Sequence, residues 1–213
     1  MKPFIIGISG PSCAGKTRLA AALNEALAHQ ESTILWLDSY YRDLSHLTVA
    51  QRAAVNFDAP GAIEHELFLE HLEQLANGAP VNKPIYDFTL HARCSECERV
   101  TPAAFIIVEG LLALYWRQAR DLMGLKIFID APDAVCLERR LRRDVAERGR
   151  TEESVRHQYR TTVQPMYAQC VAPTRAYADL ALDGEQSTEH LLARVLDRLH
   201  LSTDPSPHQD GKT

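Results

Sequence analysis

Five short apolar runs punctuate the chain, at about residues 3–9, 33–38, 103–108, 125–130 and 177–182. Each is rich in strand-forming residues and bounded by polar residues or glycine, the pattern of a strand buried on both faces. Between them, apolar residues recur at helical spacing over 16–29, 63–76, 133–148 and 152–171, with a last helix near 188–199. Strands alternating with helices predict an α/β fold with a five-stranded parallel sheet flanked by helices. The Leu/Ala pattern of 63–76 reads as core packing. Residues 80–101 break the alternation. There "VNKPIYDF" and "ERVT" flank "TLHARCSEC", which predicts a β-hairpin standing out from the sheet with "CSEC" at its tip. One domain is expected over 1–200, and the polar, proline-bearing 201–213 reads as a disordered tail.

Length and charge narrow the classes. A chain of 213 residues supports one sizeable core. A net charge of −5 and a pI near 6.0 argue against a general nucleic-acid-binding surface. The N-terminal "FIIGIS" is too short for a signal peptide and runs into a glycine loop, and no apolar run approaches a membrane span. Five cysteines, an odd number, suggest free thiols in a reducing compartment, so a soluble, cytoplasmic chain is expected. "CSEC" lacks the further ligands a structural zinc needs. His46, His65, His71 and His157 read as solvated surface residues.

The most specific signal is "GPSCAGKT", residues 10–17, a G-x-x-x-x-G-K-[ST] loop between the first strand and the first helix. Gly10 and Gly15 let the backbone of Pro11, Ser12, Cys13 and Ala14 wrap so that amide groups face phosphates. Lys16 adds a point charge, the helix N-terminus adds its dipole, and the Thr17 hydroxyl is placed to ligate Mg²⁺. This implies a nucleoside triphosphate with Mg²⁺. Two segments imitate GTPase motifs, "DAPG" at 58–61 and "NKPI" at 82–85, but Asp58 ends no apolar strand and Ile85 stands where a guanine-reading carboxylate is needed.

Two acids close apolar runs. Asp38, in "STILWLDSYYRDL", is a candidate general base at the end of a strand adjoining the phosphate-loop strand, or a turn cap; the residues alone leave both open. Glu109, after "FIIV", is placed to reach Mg²⁺ directly or through water. The run "ERRLRRDVAERGR", 138–150, holds six arginines against three acids. Arg143, Arg148 and Arg150 read as a lid over phosphates, whereas Arg139 and Arg142 read as a solvated helix face stitched by pairs such as Glu138–Arg142 and Asp144–Arg148.

Seven blocks in order, "GISGPSCAGKT", "DSYYRDLSHL", "NFDAPGAIEHELFLEHL", "PIYDFTLHAR", "VEGLLAL", "IFIDAPDAVCLERRLRRDVAERGR" and "QYRTTVQPMYAQCVAPTRAYADLAL", resemble the uridine (uridine–cytidine) kinases, the bacterial ones in particular. The resemblance spans about residues 4–183 and implies a P-loop kinase fold. It implies Asp38 as the base for a nucleoside 5′-hydroxyl, Tyr41 and Phe57 beside the base, and Asp58 on the ribose hydroxyls. Tyr86 and His91 would read the pyrimidine from the hairpin; Arg140, Arg150 and Gln158 would make further nucleoside contacts, and Arg143 and Arg148 would meet phosphate from a lid over about 138–158. It also implies ATP or GTP as donor, uridine or cytidine as acceptor, a homotetramer, and inhibition by pyrimidine triphosphates. Departures are Pro11 where a second glycine is usual, Ala59 and Gly61 in the ribose segment with Glu64 keeping an acid, and Asp183-Gly184 where Pro-Arg-Gly is common. Two other readings are a sister kinase acting on pantothenate, nicotinamide riboside or a sugar phosphate, and a nucleotide-binding regulator without turnover. The regulator should lack Asp38 or Lys16, and both are present.

Overall fold

A computed structural model describes residues 2–201. Five strands form one parallel sheet: β1 (Phe4–Ser9), β2 (Ser32–Trp36), β5 (Phe105–Glu109), β6 (Leu125–Asp130) and β7 (Leu180–Asp183), in the order β2-β5-β1-β6-β7. The intervening β3 (Val81–Asp87) and β4 (Ala92–Val100) pair antiparallel as a separate hairpin. Alternation along each strand feeds two cores. Ile5, Ile106, Val108 and Phe128 face one side of the sheet, and Ile6, Ile8, Ile107, Ile127 and Ile129 face the other. The first core is covered by α3 (His65–Ala76) through Phe68, Leu72 and Leu75, and by α4 (Arg117–Leu122) through Ala119. The second is covered by α1 (Lys16–Ala26), through Leu19 and Leu23, and by α8 (Thr188–Arg198), through Leu191 and Val195. A short α2 (Val49–Ala53) is closed by a capping box between Thr48 and Gln51.

The arginine-rich region begins with α5 (Asp133–Arg148), which ends on Gly149 in the left-handed conformation. Then α6 (Glu152–Gln158) runs on through a π turn at Tyr159–Val163, α7 (Gln164–Met166) and a second π turn at Tyr167–Val171. The single helix expected over 152–171 is thus widened twice. Pro165 lacks an N–H and crowds the carbonyl one turn earlier, and a wider turn accommodates both.

Several other expectations are corrected. β2 does not adjoin β1, because β5 lies between them and pairs with both. "CSEC" is not the hairpin tip: Cys94 to Cys97 lie within β4, Cys97 pairs with Pro84, and the turn falls at 88–91. His71 is not solvated, but buried under the first core with its Nδ1 3.0 Å from the Tyr40 hydroxyl. The tail expectation falls on 202–213, outside the described residues; Leu201, its first member, packs on the second core instead.

Candidate active site

The sheet order reverses around β1, and the crevice outside the strand ends at such a switch point is where open α/β sheets bind ligands. Residues 10–17 fill that position. Gly10 has φ 144°, and a Cβ there would stand 2.1 Å from the Ile129 carbonyl, so only glycine lets the loop lie against β6. Cys13 (φ 65°) and Gly15 (φ 107°) are also left-handed, a geometry that turns successive amides inward to form an anion nest. The Pro11 carbonyl accepts from Ala14 N at 3.2 Å and from Lys16 Nζ at 2.9 Å, so proline's missing donor leaves the loop closed. Arg139 is not part of a solvated face. Its Nη1 donates to the carbonyls of Cys13 (3.4 Å) and Gly184 (2.9 Å), bracing the loop against the end of β7.

Asp38 sits just past the end of β2, in a one-turn 3₁₀ segment, Leu37–Tyr40. Enclosure by protein raises its pKa; Lys16, Arg148 and Arg143 pull it back, while Asp58 pushes the same way as burial. Asp38 therefore feels three cations and one acid at close range. Glu109, at the end of β5, is only 8% exposed, and burial pushes its carboxyl up to about 7 against the pull of Lys16. Thr17 Oγ1 donates to Glu109 Oε2 at 3.3 Å, which puts the two expected magnesium ligands side by side.

Behind Asp38 the aromatic residues gather. The Tyr41 ring lies 5.3 Å from Phe57 and 5.4 Å from Tyr86, and Phe57 stacks on His91 at 4.8 Å. His91 takes a left-handed φ of 48° at the hairpin turn, a strained conformation for a non-glycine residue. The Tyr86 hydroxyl is buried without a hydrogen-bond partner. Asp58, whose pKa burial raises against the pull of Arg140, lines a cavity of about 120 Å³ with Pro11, Ser12, Leu111, Tyr159 and Tyr167.

Gln158 Oε1 accepts from both Arg140 and Arg150, and Arg140 Nη1 also donates to Ser12 Oγ at 3.2 Å, tying α5 and α6 to the phosphate loop. Glu138 and Arg142 pair on the surface as expected. Asp144 does not: it is fully buried and meets Arg140, Arg143, Arg148 and Arg150 together. The Asp144–Arg148 pair is present, but on the buried side of α5, not on the solvated face that its i,i+4 spacing suggests. A signal for the other outcome was present, since Cys136, Arg140 and Asp144 repeat at that spacing along the buried stripe of α5.

Sequence reasoning also missed the bolts between hairpin and crevice. Arg93 Nε donates to the Tyr41 carbonyl at 2.9 Å and Nη2 to the Tyr40 carbonyl at 3.3 Å, and the same side chain pairs with Glu64. Buried Lys83 reaches Ser39 Oγ (3.1 Å) and its cross-strand partner Glu98 (3.0 Å).

The donor set suits a hard cation that keeps waters and phosphate oxygens. Thr17 and Glu109 offer oxygen only, and among the described residues no cluster of three His, Cys, Asp or Glu side chains forms an all-protein cage. No helix among them is long and apolar enough to cross a membrane.

A phosphate loop at the switch point, facing an acid and an arginine-bearing helix, defines a P-loop kinase. The model of the phosphoribulokinase / uridine kinase family matches residues 5–189, and the chain belongs to that family. It is similar to the uridine kinase of Aliivibrio fischeri strain MJ11, with 48% identity over 182 residues covering 83% of this chain and 84% of that one. It is similar also to the uridine kinase of Ligilactobacillus salivarius, with 42% identity over 93% and 95%. The solved phosphoribulokinase of Rhodobacter spheroides shares the fold, with a TM-score of 0.66 and 16% identity over 85% of this chain and 70% of that one.

Proposed function

We propose that this chain transfers the γ-phosphoryl group of ATP, or GTP, to the 5′-hydroxyl of uridine and of cytidine, the reaction of pyrimidine salvage. The observation that carries this reading is the enclosure of Asp38 just past the end of β2, where Lys16, Arg148 and Arg143 act on its carboxyl as neighbouring cations and Asp58 as a neighbouring acid. Relatives called uridine kinases, 42–48% identical over most of their length, support the choice of acceptor.

Asp38 accepts the 5′-hydroxyl proton as that oxygen forms its bond to the γ-phosphorus; the bond from the γ-phosphorus to the bridging oxygen breaks, and ADP leaves with its electron pair. Burial raises the Asp38 carboxyl pKa, which makes it a stronger proton acceptor, and Lys16, Arg148 and Arg143 act against that rise. The N–H groups of Ser12, Cys13 and Gly15, with Lys16, Arg143 and Arg148, spread charge off the phosphate oxygens. Thr17 and Glu109 would hold Mg²⁺, which when bound neutralises the β- and γ-phosphates. Asp58, Arg140, Arg150 and Gln158 take the ribose, with Asp58 as a two-oxygen acceptor. Tyr41, Phe57, Tyr86 and His91 take the flat ring; the unpartnered Tyr86 hydroxyl supports this, because a buried donor without a partner costs stability unless a ligand answers it.

The reading includes a cytoplasmic, single-domain kinase over 1–200 that assembles from identical copies, a tetramer by the resemblance. Phe88 and Leu90, exposed at the hairpin turn, support contact between copies.

The test is ADP release with Mg·ATP against uridine, cytidine, adenosine, pantothenate and ribulose 5-phosphate. Turnover on the two pyrimidine nucleosides alone is expected. Turnover on one of the other acceptors instead would overturn the acceptor assignment and leave the P-loop kinase fold standing.

A further inference from the structure

Four arginines from α5 and the turn after it converge on one carboxylate. Asp144 Oδ1 accepts from Arg143 Nε at 2.9 Å and lies 2.8 Å from Arg143 Nη2 and 3.6 Å from Arg148 Nη1. Its Oδ2 lies 3.5 Å from Arg140 Nε and 3.7 Å from Arg150 Nη1. The Asp144 main-chain carbonyl accepts from Gly149 N, closing α5, and from Arg150 N at 3.1 Å, fixing where the turn re-enters. Asp144 is 0% exposed, so this carboxylate has no route to solvent, substrate or metal.

These contacts have a physical reason. An arginine has many rotamers, and four cations drawn to one place repel one another before any phosphate arrives. The Arg148 pKa records that crowding, lowered by burial and by Arg143 and pulled up by Asp144. Arg140 Nε and Asp144 Oδ2 face each other at 3.5 Å without a hydrogen bond, so this pair is held by charge alone. A single buried anion can offset the repulsion and hold the guanidinium groups within reach of the crevice, where a phosphate can take over as acceptor.

We propose that Asp144 is a positioning residue, which holds Arg140, Arg143, Arg148 and Arg150 as one preformed unit for donor phosphates and acceptor ribose. The proposal rests on the function proposed above for those four arginines. It makes nucleotide and nucleoside recognition depend on a side chain that touches neither.

Asp144→Asn keeps the shape and removes the charge. In protein with the parent melting profile, the KM for Mg·ATP and the KM for uridine are both expected to rise about tenfold, with kcat down by about 10²-fold. A residue that merely kept the fold would lower the active fraction, and so kcat, with both KM values unchanged. That result, or parent values throughout, overturns the proposal. If Asp144→Asn does not fold, a double-mutant cycle of Arg143→Lys and Arg150→Lys decides with Asp144 intact. Coupled losses in kcat/KM are expected, and losses that simply multiply overturn the proposal. Arg143→Ala with full turnover would overturn the lid reading itself, whatever Asp144 does.

Discussion

Glu109 holds its carboxyl at the base of the cleft with 8% of its surface exposed and a pKa near 7, against an ordinary value of 4.5. Between those values the folded protein keeps a proton that the unfolded chain has lost, so stability falls as pH rises through that window. The ligand-free protein is expected to lose about 2 kcal/mol from this residue between pH 5 and 7. Asp38 and Asp58, also raised by burial, act in the same direction. His71 and His91, lowered by burial, act in the opposite one, gaining stability as pH rises toward 6.5. Melting temperatures of the parent and Glu109→Gln across pH 5–7 separate these contributions: the variant should show the flatter profile, and parallel profiles would contradict the burial argument. At this scale the sequence was legible where one residue's chemistry depends on its neighbours in the chain. Gly10, Lys16, Thr17 and Glu109 follow from a loop motif and an acid after a strand. Asp144 does not, because its chemistry depends on four side chains folding around it.

The hairpin shows what is legible at the scale of an element. β3 was readable from "VNKPIYDF", which has apolar residues at Val81, Ile85 and Tyr86 ahead of polar turn residues, whereas β4 is exposed from Ser95 to Arg99 and carries no apolar alternation of its own. Its strand character comes from pairing with β3, and that is why "CSEC" was misread as a tip. The hairpin is also a clamp. Arg93 grips two carbonyls of the segment carrying Asp38 and Tyr41, with charge-assisted bonds worth about 1.5–3 kcal/mol in total. Arg93→Ala should lower melting stability by that order and raise the KM for uridine several-fold, with the KM for Mg·ATP nearly unchanged. Steady-state kinetics with each substrate varied in turn would check this. Equal losses in both KM values would show that the clamp does not act on the acceptor side.

At the scale of the molecule, alternating strands and helices were enough to give the parallel sheet, and the order of motifs placed the phosphate loop at its first turn. Strand order was not readable. Nothing in the composition of β2 says that β5 will insert between it and β1, because both are short apolar runs and the choice lies in packing and connections. That insertion puts Glu109, not Asp38, beside the phosphate loop, and leaves Asp38 one strand further out. The proposed acceptor pocket is assembled from three separate segments, around Tyr41, around Phe57 and in the hairpin that carries Tyr86 and His91, and its shape exists only in the folded whole.

The central claim is that Asp38 takes the proton from the acceptor hydroxyl, and single-turnover transfer from Mg·ATP to uridine by Asp38→Asn tests it most directly. The rate should fall by about 10²–10⁴-fold, the range for loss of a general base, while the dissociation constant for ATP stays within a few-fold of the parent. Transfer within a few-fold of the parent rate would contradict the account and return Asp38 to the role of a turn residue.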